Sequence, residues 1–245
     1  MTASPLQGKS VLVTGGARRI GREIALALAS AGVNVSVTYR SSQTDAANTV
    51  GELTALGVNA FAVECDVRFE ASVCAAMKAV VERFGRLDIL VNSAAIFDSA
   101  SLDSLTLDRW DAMFETNTRG PFLVAREALP HLRKSHGRII NIGSLGGIRA
   151  WAGHAHYCAS KAALHMLTQA MAKAFAPDVA VNCVAPGWIE MGELPSDAAG
   201  RFADRTPMRR NGTADDVAQA VVFFATGPGF VTGQILTVDG GLGLA

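Results

Sequence analysis

The chain is poor in features that would mark several common protein classes. Its four cysteines, Cys65, Cys74, Cys158 and Cys183, form no C-x-x-C pair and no zinc-like spacing, so neither a disulfide framework nor a metal site is expected. Charge of one sign is equally lacking. The 22 basic and 22 acidic residues cancel and no long run collects one sign, which leaves no electrostatic claim on nucleic acid. No apolar stretch approaches membrane-spanning length. Residues 1–10 are mostly polar and the first apolar run is only Val11 to Val13; the expectation is therefore a protein without a secretory signal, in a reduced cytoplasm, with no membrane partner. Asn211-Gly212-Thr213 matches a glycosylation sequon, and in that setting it reads as a turn feeding a helix. Internal repeats, low-complexity tracts and linkers are also missing, so one domain over residues 1–245 is the economical reading.

What is present is a globular composition, 49% hydrophobic and 18% charged, with a regular alternation. Short β-branched apolar runs at 10–14, 34–38, 60–63, 89–92, 138–142, 180–184 and 235–238 are separated by helical patterns near 20–31, 44–56, 71–84, 107–133, 156–174 and 215–225. This predicts an α/β fold: a doubly wound, mostly parallel seven-stranded sheet with helices on both faces. Ile20, Ile24, Ala27, Leu28 and Ala31 recur at helical intervals as one apolar stripe, a core-packing signal without functional content. Thr213 with Asp216 three residues later resembles a helix-starting cap. Residues 188–211 break the alternation with Gly192, Pro195, Gly200 and Pro207; an irregular insertion after a strand end is expected to form a substrate loop.

Two stretches carry chemistry. The segment from Val11 through Thr14-Gly15-Gly16-Ala17-Arg18-Arg19-Ile20-Gly21 leads from the first strand through a glycine turn into a helix. Glycines let the backbone approach a pyrophosphate, and the helix N-terminus adds unpaired N–H groups and a positive dipole end. An acid after the second strand would hold adenosine ribose hydroxyls and repel a 2′-phosphate. Here Tyr39-Arg40-Ser41-Ser42 stands instead, with Arg18 and Arg19 expected nearby, which suits NADP(H). The second stretch is Tyr157-Cys158-Ala159-Ser160-Lys161. Tyr157 and Lys161, four apart at a helix start, share one face. A free tyrosine pKa of about 10 is unsuited to proton relay at neutral pH, and a fixed ammonium beside it favours the phenolate. That spacing is frequent by chance; its company gives it weight. Gly143-Ser144 ends the preceding strand, and Asn117 lies inside a long helical pattern, a position where asparagine is ordinarily exposed or locally bonded.

Taken together these residues resemble the short-chain dehydrogenase/reductase family over essentially the whole chain. The resemblance implies a Rossmann-like oxidoreductase interconverting a small-molecule carbonyl or C=N substrate and its reduced form by hydride transfer. Asn117, Ser144, Tyr157 and Lys161 match its active site in order. Ser144 and Tyr157 would hold the substrate oxygen, Tyr157 would protonate it, and Lys161 would lower the Tyr157 pKa and bind the nicotinamide ribose. Asn117 would hold a water that resupplies protons.

The same matching assigns cofactor contacts to Gly15, Arg18, Arg19, Ile20, Gly21, Tyr39, Arg40, Ser41, Ser42, Asp66 and Val67. It adds Asn92 and Ala94 in Asn92-Ser93-Ala94-Ala95, then Pro186, Gly187 and Ile189. Phe97 and Trp188, with Ser144, would face the substrate. Cys158 is read as packing, since the motif places no base for it. The family's turn usually has glycine where Arg19 stands; arginine there, with Phe97, resembles the pteridine reductase branch, although Phe97 also suits an ordinary apolar wall. A 3-oxoacyl-thioester reductase is the rival, with Arg133, Lys134 and Lys173 as basic residues toward an acidic carrier. A non-catalytic cofactor-binding sensor would predict a damaged tetrad, and all four positions are intact. The segment Leu236-Thr237-Val238-Asp239-Gly240-Gly241 resembles the family's closing stretch, which implies a homotetramer.

Overall fold

A computed structural model describes residues 6–191 and 202–244. Its strands are β1 (Ser10–Thr14), β2 (Asn34–Tyr39), β3 (Ala60–Glu64), β4 (Ile89–Asn92), β5 (Arg138–Ile142), β6 (Ala180–Pro186) and β7 (Ile235–Val238). They pair in the order β3-β2-β1-β4-β5-β6-β7, every pair parallel. The helices are α1 (Arg19–Ser30), α2 (Gln43–Ala55), α3 (Glu70–Phe84), α4 (Leu107–Phe114), α5 (Gly120–Ser135), α6 (Ala155–Phe175) and α7 (Ala214–Thr226).

Alternation along each strand divides the core between the two faces of the sheet. Val11 and Val13 pack with Ile24 and Leu28 of α1 and Val221 and Phe224 of α7. Leu12, between them, points the other way, to Met77 and Val80 of α3 and Val124 and Leu132 of α5. Each such buried side chain contributes about 2 kcal/mol relative to exposure. At the start of α7, Thr213 Oγ1 accepts from the Asp216 N–H and Asp216 Oδ2 accepts from the Thr213 N–H. The sequon at Asn211 is therefore the entrance to a capped helix. Among the described residues no helix is long and apolar enough to cross a membrane.

The helical pattern at 107–133 is not one regular helix. A π-helical segment, Glu115–Arg119, joins α4 to α5. Wider i→i+5 turns of this kind concentrate at functional sites. Here the segment runs into Gly120, where a Cβ would lie 2.8 Å from Val67 Cγ2.

β1 lies between β2 and β4, so the winding reverses there and the carboxyl ends of the strands open a crevice.

Candidate active site

The glycine turn after β1 is shaped by close backbone approaches. Gly15 has φ +65°, and a Cβ there would sit 2.9 Å from Ala94 Cα; at Gly21 it would sit 2.3 Å from the Gly15 carbonyl oxygen. Hydroxyls stitch this turn to its neighbours. The Gly15 N–H donates to Thr38 Oγ1 at 3.1 Å, while Thr14 Oγ1 accepts from the Ser93 and Ala94 N–H groups at 3.0 and 3.1 Å. The turn, the end of β2 and the end of β4 thus form one rigid ledge.

The N-cap residue of α1, Arg18, makes no side-chain cap, and the helix begins directly after the glycine turn. Arg19 takes up the left-handed backbone that glycine favours, φ +54°. Arg18, Arg19 and Arg40 are exposed around this ledge. Asp66 forms a 2.6 Å ion pair with Arg68, which, helped by Arg40, holds its carboxyl below the usual range. Asn92 donates from Nδ2 to Asn141 Oδ1 at 2.9 Å, and its own buried Oδ1 has no partner among the described residues. An open helix terminus, a cradle that any Cβ would fill and flanking cations fit a dinucleotide diphosphate.

The second part of the site is built from side chains. Ser144 ends the β5 connection in extended backbone; its Oγ accepts from the Gly146 N–H at 3.0 Å. That bond turns the hydroxyl hydrogen outward, and Ser144 hydrogen-bonds the Tyr157 side chain. Lys161 is buried, donates from Nζ to the Ile142 carbonyl at 2.8 Å, and lies 5.9 Å from the Tyr157 ring centre.

Burial pushes Tyr157 above its ordinary pKa, with the Ser144 bond pulling the other way, and pushes Lys161 down to about 8. The expected lowering by Lys161 is not among the causes acting on Tyr157; desolvation is the largest of them, and it favours the phenol.

Asn117 is fully buried inside the π segment. Its Oδ1 accepts from the Ile96 N–H at 2.9 Å and its Nδ2 donates to the Ile96 carbonyl at 3.0 Å and to Ser160 Oγ at 3.2 Å; Ser160 Oγ in turn donates to the Tyr157 carbonyl at 2.8 Å. The side-chain amide of Asn117 is thus bonded within the chain, fixing the helical turn that carries Tyr157.

Ahead of Tyr157 is an aromatic wall. Phe97 meets Tyr157 edge-on at 4.8 Å and stacks on His154 at 4.7 Å; Trp188 stacks on Phe202 at 4.0 Å, only 4° from parallel. Pro186 ends β6, Gly187 approaches Asp239 so closely that a Cβ would lie 2.6 Å from its Cβ, and Ile189 forms a parallel bridge with Gly212. Of the substrate loop expected at 188–211, residues 192–201, with Gly192, Pro195 and Gly200, lie outside the described residues.

Sequence reasoning missed His165, one turn beyond Lys161. Its Nε2 accepts from the Ser144 N–H at 3.4 Å, and burial beside Lys161 pushes its pKa down to about 4. Gly143 and Gly147 make room for the ring: a Cβ would lie 2.3 Å from Nε2 at one and 2.6 Å from Cε1 at the other. The two glycines flanking a motif serine were the available signal. Trp151, His154, Phe202 and Arg205 were missed as well; they belong to no motif and meet only through the fold.

Comparison with known proteins places this geometry. Residues 15–243 match a family model described as enoyl-(acyl carrier protein) reductase. The chain is 40% identical over 240 residues to the 3-oxoacyl-(acyl-carrier-protein) reductase FabG of Staphylococcus aureus, covering 96% of this chain and 98% of that one. A short-chain dehydrogenase/reductase from Serratia marcescens superposes with TM-score 0.92 at 37% identity, covering 98% of this chain and 99% of the other. A dehydrogenase/reductase from Sinorhizobium meliloti superposes with TM-score 0.93 at 39% identity, over 98% and 97%.

Proposed function

The chain belongs to the short-chain dehydrogenase/reductase family and is an oxidoreductase, and from that premise we propose that it interconverts a small-molecule carbonyl or C=N compound and its reduced form using NADP(H), with Asn117, Ser144, Tyr157 and Lys161 as its working residues. The observation that carries the reading is the convergence of the Ser144 hydroxyl, the Tyr157 ring and the buried Lys161 amine at the carboxyl end of β5.

The ledge residues would hold NADPH, which when bound would supply the hydride. Ser144, its rotamer set by Gly146, donates to the substrate oxygen; Tyr157 gives that oxygen its phenolic proton as negative charge builds. Lys161 then favours the resulting phenolate, since an ammonium stabilises an anion that it could not create in the resting, desolvated site. Asn117 acts through Ser160 and the Tyr157 carbonyl as a positioning residue. Gly15, Ile20, Gly21, Asn92, Ala94, Pro186, Gly187 and Ile189 would line the cofactor, with Asp66 and Val67 at its adenine end. Preference for the 2′-phosphate rests on Arg40, Ser41 and Ser42 following Tyr39 where an acid would repel it, with Arg18 and Arg19 on the facing turn.

Steady-state kcat/KM with NADPH and NADH across a carbonyl panel tests the cofactor. A clear NADPH preference that Arg40→Glu reverses is expected; equal or better use of NADH by the wild type overturns it. The chain is further proposed to act as a cytoplasmic homotetramer. Support comes from the edge strand β7, on which Leu236 is exposed, and from Phe230, fully exposed in the segment leading to it; light scattering tests it.

A further inference from the structure

The cavity beside Tyr157 has an unusual combination of walls. Its volume is about 350 Å³ and it is lined by aromatic rings together with Arg149 and Arg205. Among the described residues that line it, none is acidic. Phe97 stacks on His154 yet remains 57% exposed, so much of its ring is open to a ligand. Trp151 lies nearly parallel to the Tyr157 ring, 18° apart at 6.2 Å. These rings are stacked on one another before any ligand arrives, so they lose little rotamer freedom on binding a flat partner.

The two arginines are not equivalent. Arg149 donates to the Leu242 and Gly243 carbonyls and so holds the carboxyl-terminal segment. Downstream, Arg209 donates to the Asp204 carbonyl and Arg210 pairs with Asp216. Arg205 makes no ion pair with a described residue, is exposed, and lines the cavity beside the aromatic rings.

We infer that this cavity takes a compact, planar conjugated ketone bearing a carboxylate, its ring lying on the aromatic faces and its anionic end at Arg205. The inference rests on the hydride-transfer reading above and specifies its substrate. A volume near the low end of small-molecule sites suits one or two rings rather than a long acyl chain. A guanidinium also recognises a carboxylate through paired N–H donors, which a neutral tail cannot accept with equal strength. In the reaction the carbonyl carbon gains hydride as its π bond opens, the oxygen gains the Tyr157 proton, and the cofactor is oxidised; the carboxylate is unchanged.

A matched pair of probes, 4-acetylbenzoate and its methyl ester, tests this by NADPH oxidation and by quenching of tryptophan fluorescence in the NADPH complex of the wild type, Arg205→Leu and Arg205→Lys. The acid should have a KM and Kd at least about tenfold below those of the ester. Arg205→Leu should collapse that ratio, and Arg205→Lys should recover part of it. The inference is overturned if the ester binds as well as the acid, if Arg205→Leu weakens both alike, or if only a 3-oxoacyl thioester is reduced. Those results leave hydride transfer standing. That broader reading fails instead if no carbonyl compound is reduced and Tyr157→Phe matches the wild type.

Discussion

The ledge after β1 and the floor beneath Tyr157 are two halves of one crevice, yet they are made from opposite materials. The ledge is backbone: missing Cβ atoms at Gly15 and Gly21, a helix end without a side-chain cap, and hydroxyls of Thr14 and Thr38 holding three strand ends together. The floor is side chain: Asn117, Ser144, His165 and Lys161, buried and each hydrogen-bonded within the chain. A site that must grip the same phosphate in every cycle can be built from fixed N–H groups. One that must move a proton needs titratable groups whose surroundings set their charge.

Substitutions in the two halves should therefore fail differently. Tyr157→Phe removes one hydroxyl from the floor; turnover should fall about 10²- to 10⁴-fold, with NADPH affinity by fluorescence titration as in the wild type. An active variant would dissolve the distinction. Asn117→Ala strips partners from the Ile96 N–H and carbonyl and should cost about 3 kcal/mol in urea unfolding, with turnover falling because the Tyr157 turn loosens. If stability is untouched, the amide is free for another task.

His165 provides a pH test. With its folded pKa pushed down to about 4 and its unfolded value near about 6.5, the unfolded chain binds a proton that the folded chain refuses. The stability it supports is complete above about pH 6.5 and lost as pH falls toward 4. Wild type should lose about 2 kcal/mol more than His165→Leu between pH 7.5 and 5; parallel losses would remove His165 from the floor.

On the ledge, Gly15→Ala forces a Cβ onto left-handed backbone at roughly 1–2 kcal/mol, about five- to thirtyfold if felt in NADPH affinity. Turnover at saturating cofactor should survive, the reverse of Tyr157→Phe. The smallest effect belongs to Cys158→Ala, expected to leave kcat unchanged because the partly buried thiol is a packing group; a large loss would make it a participant.

The ledge was also the more legible half in sequence. Seven β-branched runs marked the strands to within a residue or two, β2, β3 and β6 extending slightly further to Tyr39, Glu64 and Pro186, because alternation and burial leave a direct trace. Helix boundaries fell within about two residues for the same reason. The π segment left none, since no side-chain period encodes one wide turn, and with it went the burial of Asn117. His165 was invisible because a histidine on an apolar helix face announces neither its partner nor its charge. Phe202 and Arg205 line the cavity with Phe97 and Trp151 from a distant stretch of chain, a proximity that only folding creates.

On the proposed cofactor reading, binding and folding pull on Arg19 in opposite directions. Its left-handed backbone suits glycine, which has no Cβ to clash, and costs other residues roughly 1–2 kcal/mol. An Arg19→Gly chain should consequently melt later while holding its cofactor more weakly. Selection for heat resistance alone would erase this side chain, and selection for cofactor grip would restore it.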